Sequence, residues 1–142
     1  MSYQQRLTEL ATEIDGAVTE SELVLRTELI EGEEGVNVLI VSVEDREEFP
    51  VYITIDDSQV LCISHLWLED EVIAEKRAEL LDALLAMNVP MPLSSFSKLG
   101  DQYLIFGALS NQSSVNHVLE EIDMLSNNTL TAIEEFADFL QA

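Results

Sequence analysis

VLCISHLWL, Val60 to Leu68, decides the fold. Successive side chains of a strand point to opposite faces, so a half-buried strand alternates apolar and polar residues. This stretch does not alternate: Val60, Cys62 and Leu66 on one phase compete with Leu61, Ile63 and Trp67 on the other. VNVLIVSV, Val36 to Val43, behaves the same way. Strands that are apolar on both faces need cover on both faces. The chain's own helices can supply one cover, and a second subunit could supply the other.

Working outward, the neighbours are also extended. VYITI, Val51 to Ile55, is β-branched and alternating, with Pro50 at its start, where proline is tolerated. Leu23, Leu25, Thr27 and Leu29 alternate with more polar residues. EGEEG from Glu31, EDREEF from Glu44 and DDSQ from Asp56 separate the runs. Four strands joined by short turns predict an antiparallel meander.

Helical periodicity appears on either side. Tyr3, Leu7, Leu10, Ala11 and Ile14 share one face of a helix over 3–14, with Ser2 as cap and Gly16 as stop. A second helix is expected over 70–87, closed by Val89-Pro90-Met91-Pro92. MPLSSFSKLGDQYLIFGALSNQSS, Met91 to Ser114, reads as a hairpin around Leu99-Gly100-Asp101 that runs into N-cap serines. The last helix is expected over 113–140, because the stripe Val115, Leu119, Ile122, Leu125, Leu130, Ile133, Phe136, Leu140 keeps phase through Asn127-Asn128. The order is α-β-β-β-β-α-β-β-α with a long C-terminal helix. That is one α+β domain built on an antiparallel sheet and spanning 1–142.

The charge excludes several functions. There are 28 acids against six bases, a net charge of −22. Arg6, Arg26, Arg46, Lys76, Arg77 and Lys98 form no cluster that could track phosphates, so direct nucleic-acid binding is not expected. Anionic membranes should repel the chain, no apolar run reaches the ~20 residues of a span, and MSYQQRLTEL lacks a signal-type apolar core. With Cys62 the sole cysteine, a cytoplasmic location is expected.

No catalytic or metal motif emerges. Ser94, Ser95 and Ser97 are not set in a nucleophile elbow and read as turn and cap residues. His65 lies three residues from Cys62, hence on the opposite face of the strand, and His117 falls in the first turn of a helix. Zinc needs more ligands than these. The glycines form neither a dinucleotide nor a phosphate loop. No cofactor, metal or catalytic residue is assigned, and the chain is read as not an enzyme.

The acids do form a pattern. In an up-down meander alternate turns share an end, so Glu31, Glu33 and Glu34 should lie beside Asp56 and Asp57. Glu44, Asp45, Glu47 and Glu48 should lie at the other end with Glu69, Asp70 and Glu71. Two acidic rims would then flank an apolar surface and select a basic partner. Trp67, Phe106 and Phe139 are the candidate interface aromatics, with Phe136 on the buried stripe.

The order of elements on a small acidic chain resembles the type III secretion chaperone-like fold, which implies an acidic homodimer holding an extended segment of a protein partner. PLSSFSKLGDQYLIFGALSNQSS, the following EEID segment and an acidic helix with a late Phe resemble the bacterial YjfI-like family, a domain of unknown function. That resemblance implies company with phage-shock-type membrane-stress proteins and no established activity. The expectation is a chaperone-like or adaptor homodimer. The alternatives are a small ligand-binding domain or enzyme using an acidic cleft, and a nucleic-acid mimic that inhibits a basic protein.

Overall fold

The computed structural model describes residues 2–32 and 36–141. The meander forms as read: β1 (Leu25–Glu31), β2 (Asn37–Val43), β3 (Val51–Ile55) and β4 (Val60–Leu68) pair in turn, all antiparallel. The hairpin β5 (Ser95–Leu99) and β6 (Gln102–Leu109) turns at Gly100, whose φ of 59° suits a residue without Cβ. It docks through β6, giving the order β1-β2-β3-β4-β6-β5 with β1 and β5 at the edges.

The first helix, α1 (Tyr3–Ile14), has the expected bounds. Ser2 Oγ accepts the Gln5 N–H while Gln5 Oε1 accepts the Ser2 N–H, satisfying two donors that a helix start leaves open. Leu7, Leu10 and Ile14 are buried against β1, β2 and β3. Gly16, at φ 80°, turns the chain toward the sheet. The last helix, α3 (Val115–Glu135), is capped by Ser114 Oγ and lies on β3, β4 and β6.

Continuity of α3 through Asn127-Asn128 is as expected, because both amides are used outside the helix. Asn127 Oδ1 accepts from Arg46, and Asn128 Nδ2 donates to Pro92 O and Ser94 Oγ. The helix nevertheless ends at Glu135, five residues before the expected Leu140. Phe136 leaves helical geometry, Ala137–Phe139 forms a 3₁₀ turn, and Leu140 makes a β-bridge with Val72.

The same bridge corrects the second helix. The Ile73 N–H donates to Phe139 O and the Gln141 N–H to Glu71 O, and Val72 and Ile73 between are held extended. Only short 3₁₀ turns form at Glu69–Glu71 and Ala74–Lys76, and α2 begins at Arg77 and runs to Met87. A segment distant in sequence overrides local helical preference here.

One phase of the strands builds the core with the helices. Leu39, Val41, Val43, Val51, Ile53, Val60, Cys62 and Ile105 are buried in a single cluster with Leu7, Leu10, Val118, Ile122 and Leu125. Each such aliphatic contributes about 1.5–3 kcal/mol when fully buried. The irregularity in the β4–β6 register between His65 and Leu68 accompanies a change of phase. Past it, Trp67 enters the core between Tyr103 and Phe136.

Candidate functional site: the second face of the sheet

The other phase of the strands is the candidate site. Ile40 pairs with Tyr52, Tyr52 with Ile63, and Ile63 with Phe106, a continuous row across β2, β3, β4 and β6. Val38 and Leu61 lie on the same face, and the His65 ring stacks on Tyr52 with centroids 5.0 Å apart. Val38, Ile40, Tyr52, Leu61, Ile63 and Phe106 are half-buried, and none joins the core cluster that gathers the helix residues. Leu104, opposite His65, is buried yet also lies outside that cluster. The sheet is apolar on two faces, and its helices cover one.

Of the three aromatics read from sequence, Phe106 stands in this row. Trp67 is 2% exposed and part of the core, so it does not present a surface anchor in the single chain. The register change that turns it inward has no local sequence mark. Phe139 is half-buried against Phe136 at a centroid distance of 6.1 Å, near the Val72–Leu140 bridge and away from the row. Tyr52 and Ile63 were not singled out from sequence. The signal for them was the second apolar phase of Val60–Leu68 combined with strand register, which the turns determine.

The strand directions put Glu31 with Asp56 and Asp57 at one end, and Glu44, Asp45, Glu47, Glu48, Glu69, Asp70 and Glu71 at the other. Glu33 and Glu34 lie outside the described residues. The ends are about 24 Å apart, the length of a seven-residue strand. Several rim acids serve local structure. Asp56 Oδ1 accepts from Ser58 N, Ser58 Oγ and Gln59 N, and these bonds hold its carboxyl below the usual range. Glu47 accepts the Asp45 N–H, and Glu71 the Leu68 N–H.

Glu69 is an ionic node. Its Oε1 lies 2.9 Å from Arg77 Nη2 and 2.7 Å from Lys98 Nζ, and the Tyr103 hydroxyl donates to the same carboxylate. The hydrogen bonds from Arg77 and then Lys98 bring its carboxyl down to about 2. It ties β4, α2 and β5 together and is not an acid open to a partner.

Glu121 is the opposite case. It faces the sheet from α3, is 2% exposed, and its Oε1 has no hydrogen-bond partner. A Cβ on Gly107 would fall 1.4 Å from that oxygen, so the glycine makes room for the carboxyl. Burial pushes the Glu121 carboxyl up to about 7. Burial first, and then the neighbouring Glu121, raise the Cys62 thiol far above its ordinary value, which leaves it protonated and unreactive.

Two concavities are small and apolar, while hollows on the outer side of α1 and beside Val18 are lined by Gln, Thr and Glu side chains. One of about 270 Å³ lies between α2 and β5, lined by Leu81, Leu84, Leu85, Phe96 and Tyr103 among others. Another of about 240 Å³ is bounded by Met87, Met91, Pro92 and Phe96, with Glu135 its one carboxylate. Ser94 is buried and accepts from Asn128 on α3, a tertiary bond and not the turn or cap bond expected of it. Among the described residues, no three Cys, His, Asp or Glu side chains gather as a metal site. Nor is any described helix long and apolar enough to cross a membrane.

No curated protein matches the chain. Among solved structures, it is similar to YbjN from E. coli, described as a proposed transcription regulator. The two are 15% identical over 82% of this chain and 87% of that one, with a TM-score of 0.56. At that identity the likeness is one of fold: α+β, with an antiparallel sheet and a long C-terminal helix, resembling the secretion-chaperone-like architecture. Residues 4–140 match the family described as "Uncharacterized protein conserved in bacteria (DUF2170)", and it is to this family that the chain belongs.

Proposed function

We propose that the chain is a non-enzymatic protein-interaction module, chaperone-like or adaptor in character, that binds through the helix-free face of its sheet. The observation that carries this reading is the row Ile40, Tyr52, Ile63, Phe106, apolar and outside the core. An uncovered apolar face of this kind marks a contact surface. An acid-cleft enzyme is less well supported: the two concavities beside Phe96 are apolar, and the hollows that do hold two glutamates, Glu9 with Glu13 and Glu20 with Glu120, leave those side chains exposed to solvent. A nucleic-acid mimic would carry a continuous acidic stripe, whereas the rim acids stand at opposite ends of the strands. A cytoplasmic site of action and an association with bacterial membrane-stress proteins complete the proposal. The association rests on the YjfI-like resemblance of the segment from Pro92 onward.

A second reading, a homodimer through the same face, is favoured by the requirement that two-faced apolar strands be covered. Placing a photo-crosslinking residue at Phe106, with Glu13 on α1 as control, tests the module in its native cell. Discrete adducts at 106 and none at 13 are expected. No adduct at 106, or the same pattern at both positions, would refute the reading.

A further inference from the structure

The geometry points to a cationic amphipathic segment of a different protein, and not a second copy of this chain, as the occupant of the helix-free face. This rests on the proposed function above and concerns who binds, given that the face binds.

The argument is one of charge. Of the six bases, Arg77 and Lys98 are held by Glu69, and Arg6 by Glu9 and Glu13. Arg46 reaches Ser126 and Asn127 on α3, and the Lys76 ammonium donates to Asp138 O. Those five belong to the helical side of the molecule. Only Arg26, on edge strand β1, alternates onto the phase of the open face, and there Glu28 follows it opposite Ile40. The rest of the face is neutral, and acids stand beyond both strand ends.

A second copy of the chain would bring the same acids with it. Under a twofold axis either end of the sheet meets an acidic end of the other, so both alignments are repulsive. The dimer would carry twice the −22 of one chain. A segment with an apolar stripe and Lys or Arg outside that stripe reverses the sign: the stripe covers the row, and the cations reach the rims. The two occupants respond oppositely to salt. Screening, with a Debye length of about 8 Å at physiological ionic strength, weakens attraction to a cationic segment and relieves repulsion between copies.

The test uses the full chain and a synthetic peptide of about twelve residues alternating Leu and Lys, with a Leu–Glu peptide as control. Binding is titrated at about 50 mM and about 500 mM NaCl, alongside the light-scattering mass of the chain alone. Ile63→Ser and Phe106→Ser remove apolar surface without altering charge. Leu85→Ser removes an exposed leucine on α2, away from the face. Circular dichroism confirms that each variant folds, and either face variant alone suffices. The expected result is a monomer that binds the Leu–Lys peptide and not the Leu–Glu one. Affinity should fall at least about tenfold in the face variants and at high salt, and be unchanged in Leu85→Ser.

Binding indifferent to the face variants would reduce the effect to bulk charge and overturn the inference. A dimer that tightens with salt and falls to one chain in the face variants would overturn the inference while sustaining the interaction face. A monomer that binds neither peptide overturns the inference too. The interaction face itself is refuted separately, by the crosslinking result in the cell: no adduct at 106, or the same pattern at 106 and 13.

Discussion

Glu121 and Glu69 show how differently one fold treats two carboxylates. Glu69 is stabilised as an anion, so its contribution is present above its ordinary value of 4.5 and is lost as pH falls toward 2. Its partners are half exposed to solvent, which keeps that contribution small. Glu121 is stabilised as an acid. Its folded value of about 7 lies above the ordinary 4.5, so the folded state holds the extra proton between those values. Stability from this group is therefore complete below pH 4.5 and lost as pH rises through 7, by about 3 kcal/mol in all. Replacing Glu121 with Gln keeps the shape beside Gly107 and removes the titration. Urea unfolding between pH 5 and pH 8 should then lose that part of its pH slope, with the variant the more stable at pH 8. Parallel slopes for the two proteins would show that the carboxyl is not held protonated. From sequence, Glu121 is visible only as an acid one step before Ile122 on a helical stripe. Nothing local distinguishes it from the solvated Glu120, because its burial depends on a glycine in another element.

At the level of elements, what was legible and what was not follows the range of the interactions. The α1 helix depends on its own cap and stripe, and its bounds were read correctly. The meander and the hairpin follow from turns and alternation, which are equally local. The start of α2 and the end of α3 are decided by each other through the Val72–Leu140 bridge, between segments far apart in the chain, and both were misplaced. The apolar stripe predicted that α3 would continue through Asn127-Asn128, and it does, with both amides bonding outside the helix. Asn128 also anchors the approach to β5, through Pro92 O and Ser94 Oγ, beside Leu93 at a positive φ of 64°. Asn128→Ala should cost about 1–3 kcal/mol, since it leaves buried Ser94 without that donor. Amide exchange should speed up over residues 92–98 and not in β2 or β3. Uniform acceleration across the sheet would show that Asn128 supports the whole fold instead of this one corner.

For the whole molecule, the sequence carried the central fact in an indirect form: two strands without alternation. That pattern requires two covered faces, and the structure supplies the helices for one. Which side chains line the other face could be read only once register was known, because a shift of one residue exchanges the faces. Trp67 is the instructive failure, since an irregularity late in β4 moves it from the open phase to the core. Strand direction sets the described rim acids at the two ends of the sheet, yet Asp56, Glu69 and Glu71 are engaged within the chain. On the proposed reading, charge at the rims acts through its sum, and through a face whose single cation is Arg26 at its edge, more than through any single acid.

The central claim, that the helix-free face is occupied in the cell, is tested most directly by hydroxyl-radical footprinting of Tyr52 and Phe106. Reactivity is compared between dilute purified chain and the chain in its native cells, with exposed Tyr3 on α1 as internal reference. The account expects Tyr52 and Phe106 to lose reactivity relative to Tyr3 inside cells. Unchanged ratios in the two settings would mean that nothing covers the face, and would contradict the account.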